Sequence, residues 1–291
     1  MNSLSPKVQQ ILKKGTHTRN KALTRVYKPN NCIGRESLYI NMGFWDNNHT
    51  TYDEAAENLV RKMAQAAHLS QADHLLDIGF GFGDQSLFFH KEYGPKKIDG
   101  LNLCEFQVEV ARQRIKEHGL NDSINLRTGN AIHLPALNNS YDVVTALECS
   151  AHFNPRDKFL KEAFRVLKPG GRLAMTDVLS PLSRSLPISF LVKNIIWKIW
   201  DAPFSNLINS VQYKQQIEDA GFTNVKVTSI SEHVIEPLLS YTWKSLTETP
   251  LTHPMDMDFK IACIMALAAK RLFNYRLPLD YVIMSAEKPG Q

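Results

Sequence analysis

Glycine stands at every second position after a short apolar run that contains an acidic residue. The stretch contains Asp77, Gly79, Gly81 and Gly83, and a helical pattern begins directly after it. Because glycine has no Cβ, its backbone can lie directly against a ligand, and ligands of open α/β sheets bind at the carboxyl ends of the strands. The pattern therefore indicates a nucleotide-type binding loop, with a purely structural turn as the alternative.

The spacing of these glycines and the charge before them indicate which ligand fits. The dinucleotide fingerprint is Gly-x-Gly-x-x-Gly, whereas here the third glycine comes one position early and Asp84 stands where that pattern has glycine. The Gly-Lys-Ser/Thr of a phosphate loop is missing as well. An anionic Asp77 at a strand end suits a ligand that carries an ammonium and a sulfonium better than it suits a pyrophosphate.

Three titratable side chains lie at or just after the carboxyl ends of two later strands, and they could act on a second substrate. His152 is the candidate general base, because an imidazole with a pKa of about 6.5 can take a proton from a hydroxyl. Asp177 could orient that imidazole or the substrate. Glu148 could stabilise cationic character on a reacting carbon, or it could bond loop amides. The alternative for His152 is a structural histidine that is hydrogen-bonded within its loop.

The elements that must position these residues alternate between short apolar runs and helical patterns. Helices between apolar runs indicate crossover connections between parallel strands. We therefore expect an α/β fold with a Rossmann-like, seven-stranded, mostly parallel sheet, helices on both faces and a mainly helical lid. The predicted strands are His74–Gly79, Lys97–Leu103, Asn125–Thr128, Tyr141–Leu147, Arg172–Val178, Asn224–Ile230 and Tyr281–Ala286.

The same alternation predicts how the chain is organised. Residues 1–70 form an N-terminal helical arm and lid, residues 71–180 the ligand-binding core, residues 181–255 an acceptor-binding lid with a return to the sheet, and residues 256–291 the last helix and strand. The aromatic-rich stretch Ile188–Ile208 would cover an apolar acceptor, a second subunit or a membrane surface, unless it simply packs on the core. The predicted helices are Thr51–Ala67, one opening at Ser86–Lys91, Glu105–Glu117, Asp157–Leu167, Tyr213–Ala220 and Asp258–Phe273.

Composition argues against several other classes of protein. Apolar residues make up 43% and charged residues 22% of the 291-residue chain, which is ordinary for a globular protein. The net charge of +5 is not gathered into long basic runs, so we expect no nucleic-acid partner. Four widely spaced cysteines predict neither a metal site nor a disulfide framework. The chain lacks a signal-peptide pattern and a long apolar run, so we expect a cytoplasmic protein.

Five motifs, in order along residues 39–180, resemble those of class I S-adenosylmethionine (SAM)-dependent methyltransferases. The glycine loop resembles motif I, and Leu38–Trp45 resembles a Gly-Tyr-Trp segment that closes over the cofactor in part of this family. The chain is most similar to small-molecule enzymes: sugar and natural-product O-methyltransferases, and tocopherol- and sterol-type C-methyltransferases. The four motifs that follow the glycine loop and complete the five are Gly100–Leu103, Gly129–Ala131 with Leu134–Pro135, Tyr141–Val144 and Arg165–Gly171.

The resemblance implies roles for individual residues, with two departures from the family pattern. Asn102 stands where an acidic residue usually holds the ribose hydroxyls, and Asn130 stands where Asp often meets the adenine amino group. An amide still accepts a hydrogen bond, although without the assistance of a charge. Glu148 and His152 match a Glu-x-x-x-His stretch of the sugar and tocopherol-type enzymes. The implied cofactor contacts are Asp77, Gly79, Gly81, Asn102, Leu103, Gln107, Asn130, Ala131, Tyr39 and Trp45.

The function that the resemblance implies is transfer of a methyl group from SAM to an O or C atom of a small, largely apolar metabolite, leaving S-adenosylhomocysteine (SAH). A homodimer and a transient membrane-surface contact are further expectations. The main alternative is a SAM-binding regulatory module without transferase activity, which the asparagines at positions 102 and 130 keep open. This chain lacks the glycine spacing of a nicotinamide-dependent oxidoreductase. It also lacks the basic groove or the Asn-Pro-Pro-Tyr motif that would indicate a nucleic-acid or protein methyltransferase.

Overall fold

A computed structural model describes residues 4–14, 34, 36–46, 51–180, 202–248 and 279–290. Its helices are α1 (Pro6–Lys14), α2 (Tyr52–Ala66), α3 (Asp84–Tyr93), α4 (Glu105–Glu117), α5 (Arg156–Val166), α6 (Ser210–Asp219) and α7 (Ser231–Glu248). Its strands are β1 (His74–Ile78), β2 (Lys97–Asn102), β3 (Ile124–Thr128), β4 (Tyr141–Leu147), β5 (Leu167–Leu179), β6 (Thr223–Ser229) and β7 (Asp280–Glu287).

The seven strands form one mostly parallel sheet, as predicted, and their order in it is β3-β2-β1-β4-β5-β7-β6. Neighbours from β3 to β5 pair in parallel, and β7 pairs antiparallel with both β5 and β6. The chain order reverses at β1, which lies between β2 and β4. This switch point opens a crevice at the carboxyl ends of β1 and β4, which is where ligands of such sheets bind.

The core lies on both faces of the sheet, because successive residues of a strand point to opposite sides. In β1 the buried Leu75 packs into one apolar cluster together with helix α2, whereas its neighbour Leu76 packs into a second cluster with α5 and α6. Val143 and Val144 of β4 divide in the same way. Parallel strands that are buried on both faces read as continuous apolar runs, which explains why the sequence predicted them.

The largest differences from the sequence predictions lie outside the ligand-binding core. Helix α7 falls within the predicted lid, where the apolar pattern had not indicated a helix, and it carries Pro237 in its second turn. Strand β5 begins at Leu167, several residues before the predicted Arg172. The predicted helix Asp258–Phe273 and most of Ile188–Ile208 lie outside the described residues. Among the described helices, none is long and apolar enough to cross a membrane.

Candidate active site

The glycine loop between β1 and α3 combines tight packing with an open cradle. Gly79, Gly81 and Gly83 have φ values of 72°, 57° and 92°, a left-handed region that favours glycine. A Cβ on Gly79 would lie 2.7 Å from the Cys149 side chain, and one on Gly83 would lie 3.0 Å from Ala111 Cβ. At Gly81 the nearest protein atom would be Ile40 Cδ1 at 3.6 Å. Packing therefore requires two of the glycines, whereas Gly81 presents its bare backbone to the cavity.

A cavity of about 360 Å³ lies above this loop at the carboxyl ends of β1, β2 and β4. Apolar side chains form much of its wall, among them Ile78, Leu101, Leu147 and Phe153. The fold thus gathers residues from five segments of the chain at one place. Of the predicted site residues, those that line the cavity are Tyr39, Gly79, Gly81, Asn102, Leu103, Gln107, Asn130, Ala131, Glu148 and His152.

Asp77 lies next to this cavity but does not line it. Its carboxylate is fully buried and accepts hydrogen bonds from Gln85 Nε2 at 2.6 Å, Ser86 Oγ at 2.6 Å and Thr145 Oγ1 at 3.1 Å. Burial raises the pKa of Asp77 to about 6, although the three donors oppose that shift. Asp77 therefore braces the first turn of α3 from beneath the loop, and it is Gln85 that reaches the cavity.

Trp45 and Asp177 also lie away from the cavity lining. The Trp45 indole Nε1 donates to Met42 O at 3.1 Å, and its ring packs at 4.9 Å from Tyr241 of α7. Of the two aromatic cofactor contacts that the resemblance implies, Tyr39 thus lines the cavity and Trp45 does not. The Asp177 carboxylate is buried against Arg156. Sequence position could not show which way each of these side chains turns.

Residues 36–46 cover one side of the cavity and are tied down by buried acceptors. Leu38 N donates to Asp84 Oδ1 at 3.2 Å, and Tyr39 OH donates to Asp84 O at 3.4 Å. Arg114 of α4 forms a close ion pair with the same Asp84, with 2.5 Å between Nη1 and Oδ2. Burial raises the pKa of Tyr39 well above its ordinary value, so its hydroxyl stays a donor. The first turn of α3 therefore anchors the segment that covers the cavity.

Glu148 is partly buried at the cavity wall and holds the covering segment from the other side. Its Oε1 accepts hydrogen bonds from Met42 N at 2.7 Å and from Tyr281 OH at 2.5 Å. Burial raises the pKa of Glu148 to about 7, against the effect of these two donors. Its φ of 50° is strained for a residue with a Cβ, and such strain clusters at functional sites. Glu148 is thus a titratable group held in the cavity with a pKa suited to proton exchange near neutrality.

The shifted pKa of Glu148 predicts how stability depends on pH. Between its ordinary pKa of 4.5 and about 7, the unfolded chain loses this proton while the folded chain keeps it. The free energy of unfolding therefore falls as pH rises through that window, by about 3 kcal/mol in total. Glu148→Gln removes the titration, so urea unfolding at a series of pH values should show the variant gaining stability over the parent protein as pH rises.

Glu162→Gln is the matched control for this measurement. Its partner Arg165 lowers the pKa of Glu162, so the parent carboxylate stabilises the fold at neutral pH and loses that effect as pH falls. The control should therefore be less stable than the parent at pH 7 and approach it in acid. Parallel unfolding curves for Glu148→Gln and the parent at every pH would contradict the shift assigned to Glu148.

At the end of β2, Asn102 stands where the resemblance implies a carboxylate, and the side-chain amide of Gln107 from α4 lies beside it. Asn102 Nδ2 donates to Gln107 Oε1 at 2.8 Å and to Gly81 O at 3.4 Å, which leaves the amide oxygen of Asn102 as its acceptor for a ligand. Both residues line the cavity. Asn130 Oδ1 accepts from Ile132 N at 3.1 Å and so shapes the turn that carries Ala131. The lining of this part of the cavity is therefore polar but neutral.

Placing a carboxylate at position 102 should tighten the binding of SAM, the cofactor that the resemblance implies. In Asn102→Asp, a carboxylate would accept hydrogen bonds from the ribose hydroxyls with the assistance of its charge, and Gln107 can turn its amide to donate instead. We expect the dissociation constant of SAM, measured by isothermal titration calorimetry, to fall about tenfold. Asn121→Asp adds the same charge at an exposed position outside the cavity lining and should change nothing. Weaker binding by Asn102→Asp would contradict the ribose assignment.

His152 lies in a short 3-10 turn, Ser150–His152, that begins three residues after the end of β4. It lines the cavity together with Phe153 and Asn154, and it shares the cavity with Glu148. A cradle of bare backbone, neutral amides, apolar walls and these two titratable groups fits a cofactor-dependent group-transfer enzyme. The sequence had not singled out several lining residues, namely Ile40, Asn41, Gln85, Cys149 and Asn154. Ile40 and Asn41 stand in the Leu38–Trp45 segment and Cys149 in the Glu-x-x-x-His stretch, so these motifs could have indicated them, whereas Gln85 and Asn154 lie outside the motifs.

Comparisons with known proteins agree with this class. Residues 76–175 match a family described as methyltransferase domain. Over 261 residues the chain is 34% identical to the erythromycin 3''-O-methyltransferase of Saccharopolyspora erythraea, an alignment that covers 88% of this chain and 85% of that protein. Over 250 residues it is 28% identical to the 27-O-demethylrifamycin SV methyltransferase of Amycolatopsis mediterranei, covering 85% and 89%.

A solved structure of the (4+2)-cyclase SpnF superposes with a TM-score of 0.68 at 22% identity, covering 92% of this chain and 94% of that one. That likeness shows the fold and not the reaction, because one fold can host different chemistries. The relatives decide the class: the chain belongs to the class I SAM-dependent methyltransferases. It is an enzyme that uses SAM to methylate small molecules.

The residues present fit SAM in the cavity. At Gly81 the missing Cβ leaves room for the cofactor to approach the loop closely, and the neutral amides at 102, 107 and 130 line the cavity and would offer hydrogen-bond partners to a nucleoside. Ala131 and Leu103 add apolar contact area. When bound, SAM supplies an electrophilic methyl group on a sulfonium.

Proposed function

We propose that this enzyme methylates a hydroxyl oxygen of a bulky natural product and that His152 acts as the general base. The observation that carries the proposal is the placement of His152 on the same cavity as the glycine loop. The two relatives described above are named for transfer to oxygen on erythromycin and rifamycin. A hydroxyl acceptor must lose its proton as the new bond forms, which gives an imidazole at this position a task.

Each group around the cavity then has a defined contribution. The apolar wall excludes water and, with the covering segment 36–46, aligns the acceptor with the methyl group; alignment can lower a barrier by about 7–11 kcal/mol. His152 takes the hydroxyl proton, which is worth about 10²–10⁴-fold in rate. Ionised Glu148, in the same cavity, favours the imidazolium that results, because opposite charges attract strongly where water is excluded.

Methyl transfer into acceptors of different chemistry tests the proposal. The enzyme is incubated with isotopically labelled SAM and three separate acceptors: a macrolide glycoside with a free sugar hydroxyl, 27-O-demethylrifamycin SV, and geranyl diphosphate as a carbon acceptor. We expect label in one or both of the hydroxyl acceptors, with mass spectrometry placing it on oxygen. Label in geranyl diphosphate alone would contradict transfer to oxygen.

Three further properties are proposed on the sequence alone. We infer that the enzyme is cytoplasmic, forms a homodimer and touches membrane surfaces through Ile188–Ile208, whose aromatic and lysine side chains suit an interface. Sedimentation velocity measures the oligomeric state, and flotation with anionic vesicles measures membrane contact. A monomer at micromolar concentration, or a protein that stays with the buffer fraction, would contradict the respective inference. Nucleic acid is not expected as a partner.

A further inference from the structure

A buried polar cluster lies directly beneath the turn that carries His152. We call it the Arg156 cluster, and it consists of Ser150, Arg156, Asp177 and Asn206. Arg156 Nη2 and Asp177 Oδ2 are 3.2 Å apart, and both side chains are only 1% exposed. The Arg156 guanidinium also lies 5.1 Å from the ring centroid of the buried Tyr213 on α6. A charged pair is thus enclosed at the carboxyl end of β5.

The polar contacts of the Arg156 cluster converge on the His152 turn. The Asp177 carboxylate accepts from Ser150 Oγ and from Val178 N, and Arg156 Nε donates to Ser150 O at 3.3 Å. Ser150 is the first residue of the turn and His152 the last. The beginning of the turn is therefore held through both its side chain and its backbone.

Asn206 holds the rest of the turn from a different part of the chain. Its Nδ2 donates to Ala151 O at 2.9 Å and to Phe153 O at 2.7 Å, so it grips the residues on either side of His152. Asn206 O in turn accepts from Arg156 Nη2 at 3.4 Å. Residues 202–209 therefore connect the turn to the same buried charge pair.

Stability alone is a weak reason for such a cluster. Removing two charges from water costs several kcal/mol, and apolar side chains of similar volume often stabilise a core as well or better. The rigid guanidinium fork of Arg156 fixes the geometry of its partners, because each hydrogen bond restricts the orientation of the turn. The hydrogen bonds of the cluster go to the residues before and after His152, whose orientation matters for a proton transfer.

We propose that Arg156, Asp177 and Asn206 are positioning residues that fix the orientation of the His152 ring in the cavity. This inference rests on the proposed function for its consequence in catalysis, since a ring that is misplaced by about 1 Å can cost about 10²-fold in rate. It gives Asp177 the orienting task that its sequence position suggested, exerted through the backbone of the turn. It also makes Asn206 a link between residues 202–209 and the base.

The test compares Asn206→Ala and Arg156→Met with the control Arg172→Met. Arg172 forms an ion pair with the buried Asp73 at the opposite end of the sheet, so its loss should cost stability without disturbing the cavity. In each SAH complex, histidine labelled with ¹³C at Cε1 is titrated by NMR, and the His152 signal is assigned from its loss in His152→Gln. Turnover is measured with the best acceptor of the panel above.

Both cluster variants should shift the titration midpoint of His152 by about 0.5 pH unit or more, lower kcat about 10²-fold and leave the SAH dissociation constant within about twofold. Arg172→Met should leave the midpoint and kcat as in the parent. An unchanged midpoint in a folded Asn206→Ala protein, or the same changes in Arg172→Met, would overturn the inference.

The outcomes separate this inference from the proposed function. Arg156→Met could fail to fold because the loss of Arg156 leaves the buried Asp177 carboxylate without its partner. In that case the measurements on Asn206→Ala decide alone. If His152→Ala turns over normally while the NMR midpoint still moves in Asn206→Ala, His152 is positioned by the cluster but is not the base. If no acceptor of the panel is methylated, the NMR titration still tests the positioning directly.

Discussion

Replacing Gly81 with valine is expected to abolish SAM binding without unfolding the enzyme. The loop backbone at Gly81 faces the cavity. A Cβ added there would lie 3.6 Å from Ile40 Cδ1, the nearest protein atom, so the valine side chain would occupy the space of the cofactor. A φ of 57° adds strain for a β-branched residue. We expect the SAM dissociation constant to rise by about 100-fold or more. Isothermal titration calorimetry measures it, and circular dichroism checks the fold.

Gly119→Val is the matched control for the backbone strain. Gly119 has a φ of 70° and no protein atom within 4 Å of an added Cβ, and it does not line the cavity. This variant should lose a similar amount of stability and still bind SAM like the parent. Retained micromolar affinity in Gly81→Val, or equal loss of binding in Gly119→Val, would contradict the placement of the cofactor on this loop.

Replacing His152 with alanine is expected to lower kcat by about 10²–10⁴-fold for a hydroxyl acceptor. The base would be lost, whereas the cradle at Gly81 and the amides at 102 and 107 would remain, so SAM affinity should change little. Initial rates at saturating SAM give kcat, and calorimetry gives the affinity. The pH dependence of kcat should also lose the limb that reports the base.

His118→Ala controls for the loss of a histidine as such. His118 is exposed at the C-terminal cap of α4, where its Nδ1 lies 2.8 Å from Arg114 O. We expect parent-like turnover from this variant. Unchanged turnover in His152→Ala would remove the role assigned to His152, and Glu148, with its pKa of about 7, would become the base to test next.

Local sequence patterns predicted the sheet well because short-range physics determines them. All seven strands were anticipated, since continuous apolar runs between helical patterns are the mark of strands buried on both faces. The start of α2 was anticipated at Thr51, where a capping box forms: Thr51 Oγ1 accepts from Glu54 N, and the Glu54 carboxylate accepts from Thr51 N. Helix α7 was missed because its pattern includes Pro237, which ordinarily indicates a helix boundary.

Sequence position predicted which edge of the sheet carries the site, but it did not predict side-chain direction. Asp77 precedes the glycine loop as the motif suggested, yet Gln85, Ser86 and Thr145 enclose its carboxylate away from the cavity. Trp45 stands in the Leu38–Trp45 segment, which the resemblance places over the cofactor, but its ring packs on Tyr241. Each of these outcomes depends on a neighbour contributed by another element, so no local pattern could reveal it.

The sequence by itself determined the glycine loop, the alternating strands and helices and thus the kind of cofactor, because these depend on residue types within a few positions of one another. Only the tertiary structure decided what surrounds the reacting groups. Glu148 meets Met42 and Tyr281 across 106 and 133 residues of chain. Its burial, and the pKa of about 7 that follows, arise only when the folded sheet removes water from segments that are distant in sequence.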